Sequence, residues 1–351
     1  MVQIVKHQGY RYLVVGLIVI LLVVMVALVG CSTTQPSPPS RQIPPAAPQR
    51  ADLLCKIELA KIMADEDFAE LYQVIAAQNP DIPQTLDAAL GQVENQTGID
   101  PRDLTEAVAF ADTSTLIQSV ESTQGSSSSP YCGALVEGNL DESSFILSIE
   151  EKTGQMLTRG DYQGCTIYTI ATLDNEDEVL SIAFPADGQF VIGTSQAVKD
   201  VIDVTVGLQE PISGDVFNLY SQLSDALIKV ASRVPESLTE QIPDEIPLGP
   251  INVSMRSFRD INYATLTLTK NEAIINAEAY LEFTNEDSAK TSEQLLWTGI
   301  EAGKYVVPDP DVKELLSKVH TSRSGSSVSL TLALTVSEIE RLTSAILAEA
   351  K

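Results

Sequence analysis

The sequence predicts an α+β protein of antiparallel sheets with packed helices, carried outside the cytoplasm behind an N-terminal membrane segment. Three observations predict it. Helical and alternating apolar periodicities interleave along residues 51–351. Strand signals fall in closely spaced pairs, as hairpins require and parallel crossovers do not. An uncharged apolar run at the N-terminus ends in a cysteine and a proline-rich stretch.

Residues 1–30 read as a signal peptide or membrane helix. Lys6 and Arg11 precede a run, Tyr12 to Gly30, that carries no charge. About 18 apolar residues also suffice to span a bilayer. Both readings place the rest of the chain outside, because the positive charges lie before the run. The sequence Leu28-Val29-Gly30-Cys31, then Ser32-Thr33-Thr34, resembles the lipobox of bacterial lipoproteins. That resemblance implies that the Cys31 thiol takes diacylglycerol and that the mature protein begins at Cys31. Residues 31–50 read as a tether: Pro36, Pro38, Pro39, Pro44, Pro45 and Pro48 disfavour a helix, and an extended chain of this length reaches roughly 60 Å.

Beyond the tether, Leu53, Cys55, Ile57 and Leu59 alternate with Lys56 and Glu58, which predicts a strand with one buried face. Helices follow over about 65–77, with Phe68, Leu71, Tyr72 and Ile75 inward, and about 85–96, with Leu86, Leu90 and Val93 inward. Residues 121–129, with Gly125 before four serines, read as a loop. Tyr131 to Glu137 is a strand leading to a helix capped by Asp141. Phe190 to Gly193 is another, ahead of a cap at Thr194 or Ser195 and a helix with Val198, Val201 and Ile202 inward. Later, Ile275, Ala277, Ala279, Leu281 and Phe283 form one strand face, and Asn285 caps a helix over 286–303. Val328, Leu330, Leu332 and Leu334 lead to Ser337, which with Glu340 makes a capping box. Two similar β-α-β-β-α modules result, at about 130–207 and 262–349; duplication and shared hairpin-plus-helix grammar both produce such a pattern. Pro235, Pro243, Pro247 and Pro250 mark a boundary between a first domain, 51–249, and a second, 250–351. This layout, including TIYTI followed by FVIGTSQAVKDVID, resembles uncharacterised extracytoplasmic families found behind lipobox or single-helix anchors in bacteria and archaea. The resemblance implies a fold and supplies no catalytic residues.

The formal net charge is −26, and every acidic residue lies after the tether, so the surface repels nucleic acid and anionic headgroups. Outside the leader the chain has one histidine, His320, which excludes multi-histidine metal sites and leaves no ordinary Ser-His-Asp or Cys-His set. Ser-x-x-Lys, Gly-x-Ser-x-Gly, Walker, His-Glu-x-x-His and Cys-x-x-Cys motifs are absent. The acidic clusters at 174–178 and 309–311 lack the spacing of a calcium loop and read as solvated turns. Trp297, after Leu295 and Leu296, reads as core. The expectation is a non-catalytic binding or scaffold lipoprotein, without cofactor or metal, whose partner is a protein or small molecule. A carrier of a lipid or other apolar ligand is the alternative, and a carboxylate hydrolase of the envelope a third. Cys55 is expected as a buried thiol. Cys132 and Cys165 are candidates for a disulfide that would close a loop of about 33 residues and contribute roughly 3 to 4 kcal/mol; three reduced, buried cysteines are the other reading.

Overall fold

The computed structural model describes residues 46–77, 82–121, 130–153, 156–171, 179–248, 251–307 and 309–349. The signal region, Cys31 and most of the tether lie outside the described residues, as do the serine-rich loop and the 174–178 cluster. The first elements are β1 (Leu53–Ile57), α1 (Leu59–Met63), α2 (Glu66–Ala76), α3 (Leu86–Thr97), β2 (Leu104–Ala111), α4 (Thr113–Glu121), β3 (Cys132–Gly138), α5 (Glu142–Thr153), β4 (Thr158–Tyr162), β5 (Cys165–Ala171), β6 (Val179–Ala186) and β7 (Gln189–Thr194). Then come α6 (Ser195–Thr205), α7 (Asp215–Gln222), β8 (Ile228–Arg233), α8 (Glu236–Glu240), β9 (Glu245–Leu248), β10 (Ile251–Ser254), β11 (Ile261–Asn271), β12 (Ile274–Phe283), α9 (Glu286–Val306), α10 (Pro310–Lys318), β13 (His320–Ser324), β14 (Ser327–Thr335) and α11 (Val336–Glu349).

Twelve strands form one sheet in the order β13-β14-β12-β11-β8-β1-β2-β3-β7-β6-β5-β4, and β9 with β10 forms a separate hairpin. Every described pairing is antiparallel, so the α+β class holds. The modular pattern holds in part: the second module runs β12-α9-α10-β13-β14-α11, whereas the first places four strands, β4 to β7, between α5 and α6 where two were expected. At one end β3 and β7 pair across α5 and the intervening strands β4, β5 and β6; at the other β12 and β14 pair across α9, α10 and β13. Each module thus extends the sheet outward from the centre. The sheet does not break at residue 249: β8, before the expected boundary, pairs with β11, after it.

Period-two alternation sorts side chains onto the two faces. On one face α1, α2, α10 and α11 bury Ile62, Phe68, Leu315 and Ile339 against Ile228, Leu268 and Leu332. On that same face α5 packs Phe145 and Ile149 on Val136, Ile182 and Phe190, and α9 sets Ala289 against Phe283 and Val328. On the other, α6 and α7 place Val198, Val201, Ile202 and Val216 over Leu54, Phe110, Leu135 and Val191. Tyrosine hydroxyls pin α6 there: Tyr131 Oη donates to Asp200 Oδ2 at 2.8 Å and Tyr162 Oη to Asp203 Oδ2 at 2.9 Å.

Several sequence readings change in this setting. The strand β1 lies mid-sheet, and the face opposite Cys55 is the more deeply buried at Leu54: Leu54 is fully buried, whereas Leu53, Cys55 and Ile57 are half-buried. Lys56, on the Leu54 side, is held by Glu58 at 2.8 Å and Glu106 at 2.7 Å. Burial opposes its charge, and the two carboxylates outweigh that and raise its pKa. Lys56→Met would leave Glu106 without its cation and Glu58 with Lys61 alone, and is expected to cost about 3 kcal/mol, the low end for a broken buried pair because the site keeps some solvent. Urea unfolding checks this; a loss below about 1 kcal/mol would contradict it.

The last stretch of the expected tether belongs to the fold: Ala47 and Ala51 are buried, Pro48 bridges Pro211, and the Ala47 carbonyl accepts from Ile212 N–H at 2.7 Å. The capping box of α11 lies two residues earlier than Ser337 and Glu340. Thr335 N–H donates to Glu338 Oε2 at 2.9 Å and Glu338 N–H to Thr335 Oγ1 at 3.3 Å, because β14 runs directly into the helix. Lys318, with that backbone N–H, holds the Glu338 carboxyl down at about 2. A depressed carboxyl stabilises the fold above its ordinary range and loses that contribution as pH falls from about 4.5 to about 2. Wild type is therefore expected to lose more stability than Glu338→Gln over that interval in acid-dependent urea titrations; parallel profiles would contradict it.

Trp297 is 58 % exposed, not core. The inward stripe of α9 is Ala289, Ser292, Ile300 and Gly303 with Leu296 partly buried, and Trp297 stands one residue, about 100°, beyond it. The Cys132–Cys165 bridge does not form: all three described cysteines are free. Strands β7 and β6 lie between β3 and β5, which sets those strands roughly 14 Å apart, twice the reach of a disulfide. Burial raises all three thiols, Cys55 to about 11. Among the described residues no helix is long and apolar enough to cross a membrane.

Candidate functional site

The helices α6 and α7 leave one end of their sheet face open, over β11, β12, β14 and β13. The reason is in the alternation. In β11 the residues Tyr263, Thr265 and Thr267 alternate with Ala264, Leu266 and Leu268; in β12, Glu278, Tyr280 and Glu282 alternate with Ala277, Ala279 and Leu281; in β14, Ser327, Ser329 and Thr331 alternate with Val328, Leu330 and Leu332. The apolar half packs on the helices of the far face and the polar half is left outward.

Register stacks the polar half into three rows. Tyr263, Glu282, Ser327 and Ser324 form the first, Thr265, Tyr280, Ser329 and Ser322 the second, and Thr267, Glu278, Thr331 and His320 the third. The end of α7, at Leu219, Gln222 and Leu223, walls one side. Between wall and rows lies a cleft of about 500 Å³, within the range of small-molecule sites. A shallower hollow of about 260 Å³ shares Glu278, Tyr280, Ser324 and Ser327 with it and continues to His320 at the sheet edge.

Several polar groups here are already engaged. Tyr263 Oη donates to Asp215 Oδ2 at 2.8 Å, and Tyr280 Oη to Glu278 Oε1 at 2.6 Å. Burial, then Asp215, raises the pKa of Tyr263; Glu278 does so for Tyr280, so both phenols stay protonated. Lys229 lies beneath, its ammonium on the Leu223 carbonyl at 3.0 Å and 4.8 Å from the Tyr220 ring centre; burial lowers its pKa. It does not line the cleft.

Two groups are not engaged. Thr265 is 7 % exposed, and its Oγ1 is buried without a hydrogen-bond partner. Glu282 makes no hydrogen bond or ion pair with a described residue. An unpartnered buried hydroxyl costs about 1 to 3 kcal/mol.

No group of three or more His, Cys, Asp or Glu among the described residues is placed to hold a metal. Glu278 and Glu282 are four residues apart on one strand, about 13 Å along the backbone, with Tyr280 between them. Asp309 spends Oδ1 capping α10 through Asp311 N–H at 2.8 Å and Val312 N–H at 3.0 Å.

Of the candidate site residues singled out from the sequence, His320 comes nearest, lining the adjoining hollow rather than the cleft itself. Cys31 lies outside the described residues, and Cys132 and Cys165 sit in separate strands of the other module. The cleft was legible as the polar half of strands whose apolar half had been recognised; which of the polar faces stays uncovered was not.

No protein-family model and no curated protein matches the chain. Among solved structures it is similar to TP0453. Crystal forms I and III each give a TM-score of 0.45 at 10% identity, over 86% of this chain and 96% of that one. Crystal form IV gives 0.43 at 11% identity over the same shares.

Proposed function

We propose that the chain is a membrane-anchored extracytoplasmic lipoprotein with a non-catalytic binding role, and that the open end of its sheet is the binding face. The observation that carries the reading is the three-row polar surface left open beside the wall of α7. The anchor rests on the lipobox-like sequence ending at Cys31. An apolar carrier is disfavoured, because helices and sheet fill the layers between them with interlocked side chains.

Thermal unfolding of the full-length protein in detergent, against panels of polar and apolar small molecules, tests this with Ser327→Trp as the variant that fills the cleft. A polar ligand at 100 times its Kd stabilises by about 2.7 kcal/mol, roughly 5 °C or more for a chain of this size. That shift is expected in wild type and absent in Ser327→Trp. Stabilisation by apolar ligands alone, or a shift that survives the variant, would overturn the reading.

A further inference from the structure

We infer that the turn after α6 is a second membrane contact, in which Val206 and Leu208 enter a neutral lipid surface and seat the domain on the bilayer that holds its N-terminal anchor. The inference rests on that anchor, lipid or helix, and adds how the domain stands on it.

The turn is ordered, and it holds its apolar side chains outward. Helix α6 ends at Gly207, whose φ of +78° is left-handed. Gly207 N–H donates to the Val204 carbonyl at 3.1 Å and Leu208 N–H to the Asp203 carbonyl at 2.7 Å, the paired bonds of a Schellman cap. In that motif the residue in the place of Leu208 commonly folds back on the last turn of the helix. Here that turn presents Asp203, whose carboxylate accepts from Tyr162 and Gln209. Leu208 stays 60 % exposed, with Val206 beside it at 51 %.

The path of the chain names what covers them. Pro48 bridges Pro211, Ile212 N–H donates to the Ala47 carbonyl at 2.7 Å, and Ser213 Oγ donates to Gln49 Oε1 at 2.9 Å. The segment arriving from the anchor is thus fastened within a few residues of Leu208. Residues 32–45, between Cys31 and this fastening, reach roughly 45 Å at full extension. A link of that length keeps the turn at an effective concentration on the order of millimolar against the bilayer, so even the weak contact of two side chains is populated. Trp297 and Tyr305 are exposed as well, but α9 carries them against the far face of the sheet, toward the β13 edge.

Charge selects the kind of surface. Residues 200–228 hold no lysine or arginine, and Glu210 and Asp215 stand exposed beside the turn. Arg50, at the fastening, is held by Asp112 at 3.3 Å. An anionic surface would meet these carboxylates without a free cation, whereas a zwitterionic one meets no net repulsion.

The test uses the full-length protein in phosphatidylcholine vesicles whose acyl chains are brominated, which quenches only an indole within the bilayer. Trp297 is the sole tryptophan, so wild type reports on the far face. Leu208→Trp combined with Trp297→Phe reports on the turn. Emission from position 208 is expected to fall by about half relative to unbrominated vesicles, while that of Trp297, an exposed indole on the same link, stays within a tenth. Val206→Ser added to the position-208 reporter is expected to reduce the quenching about twofold, as is exchange of half the lipid for phosphatidylglycerol. Unquenched emission at 208, or quenching of Trp297 in its place, would overturn the contact, and quenching that grows with phosphatidylglycerol would overturn the neutral surface. Flotation of the same samples separates the two readings: protein that floats unquenched keeps its anchor and lacks this contact, and protein that does not float loses both.

Discussion

Replacing Cys31 by serine is expected to abolish incorporation of fatty-acid label and to leave the precursor uncut. Lipidation at a lipobox runs through the cysteine sulfur, and a hydroxyl is a far weaker nucleophile at that step. The residues that argue for it are the leader charges Lys6 and Arg11, the uncharged run to Gly30, and the small residues flanking Cys31. The fold adds a constraint on the chain's path. Residues 46–51 are fixed to the domain through Ala47, Pro48 and the hydrogen bond of Ser213 Oγ to Gln49 Oε1 at 2.9 Å. The chain therefore enters the domain beside the loop between α6 and α7, on the face of the sheet that carries the cleft. Labelling cells that express wild type or Cys31→Ser, followed by immunoprecipitation, gives the answer directly. Equal label in both would end the lipoprotein proposal and leave residues 1–30 as a membrane helix.

Phe110→Ala is expected to lower stability by about 3 to 5 kcal/mol, roughly 10 °C in Tm. Phe110 is 1 % exposed in β2, near mid-sheet, under the cover of α6 and α7. Its ring lies 6.4 Å from that of Tyr131, centre to centre, and fills the space that a side chain at position 133 would need. A Cβ on Gly133 would come within 2.6 Å of Phe110 Cζ. Ring and glycine are thus one packing unit: Gly133→Ala should be strongly destabilising in wild type and less so in a Phe110→Leu background. Urea unfolding of the single and double variants measures both effects. A loss below about 1 kcal/mol for Phe110→Ala, or strict additivity in the pair, would show that this part of the core can relax around the change.

Local signals in the sequence survived folding well where they depend on a few neighbouring residues. Asp65, Thr85 and Asn285 cap their helices through side-chain oxygens, and Asp141 accepts from Ser144 N–H at 2.8 Å. Signals that depend on what a face meets were less legible. Alternation in β1 was read as one buried face, since nothing local says that β2 and β8 flank the strand and helices cover both sides. The bridge between Cys132 and Cys165 presumed that strands near in sequence are near in the sheet, whereas β7 returns to pair with β3 and displaces β5 outward. The cleft follows the same logic. The alternation of threonine and leucine from Thr265 to Thr269 announces one polar face, and only the length of α7, ending at Gln222, decides that this face stays open.

Hydroxyl-radical labelling of the full-length protein, with and without the tightest-binding ligand from the polar panel, tests the central claim most directly, because two tyrosines report on opposite faces of the sheet. Tyr280 lies in the cleft, whereas Tyr305, 83 % exposed, lies on α9, which packs against the far face. If the open sheet end is the binding face, the ligand lowers modification of Tyr280 several-fold and leaves Tyr305 unchanged. Unchanged Tyr280 with saturating ligand, or protection confined to Tyr305, would place binding elsewhere and contradict the account.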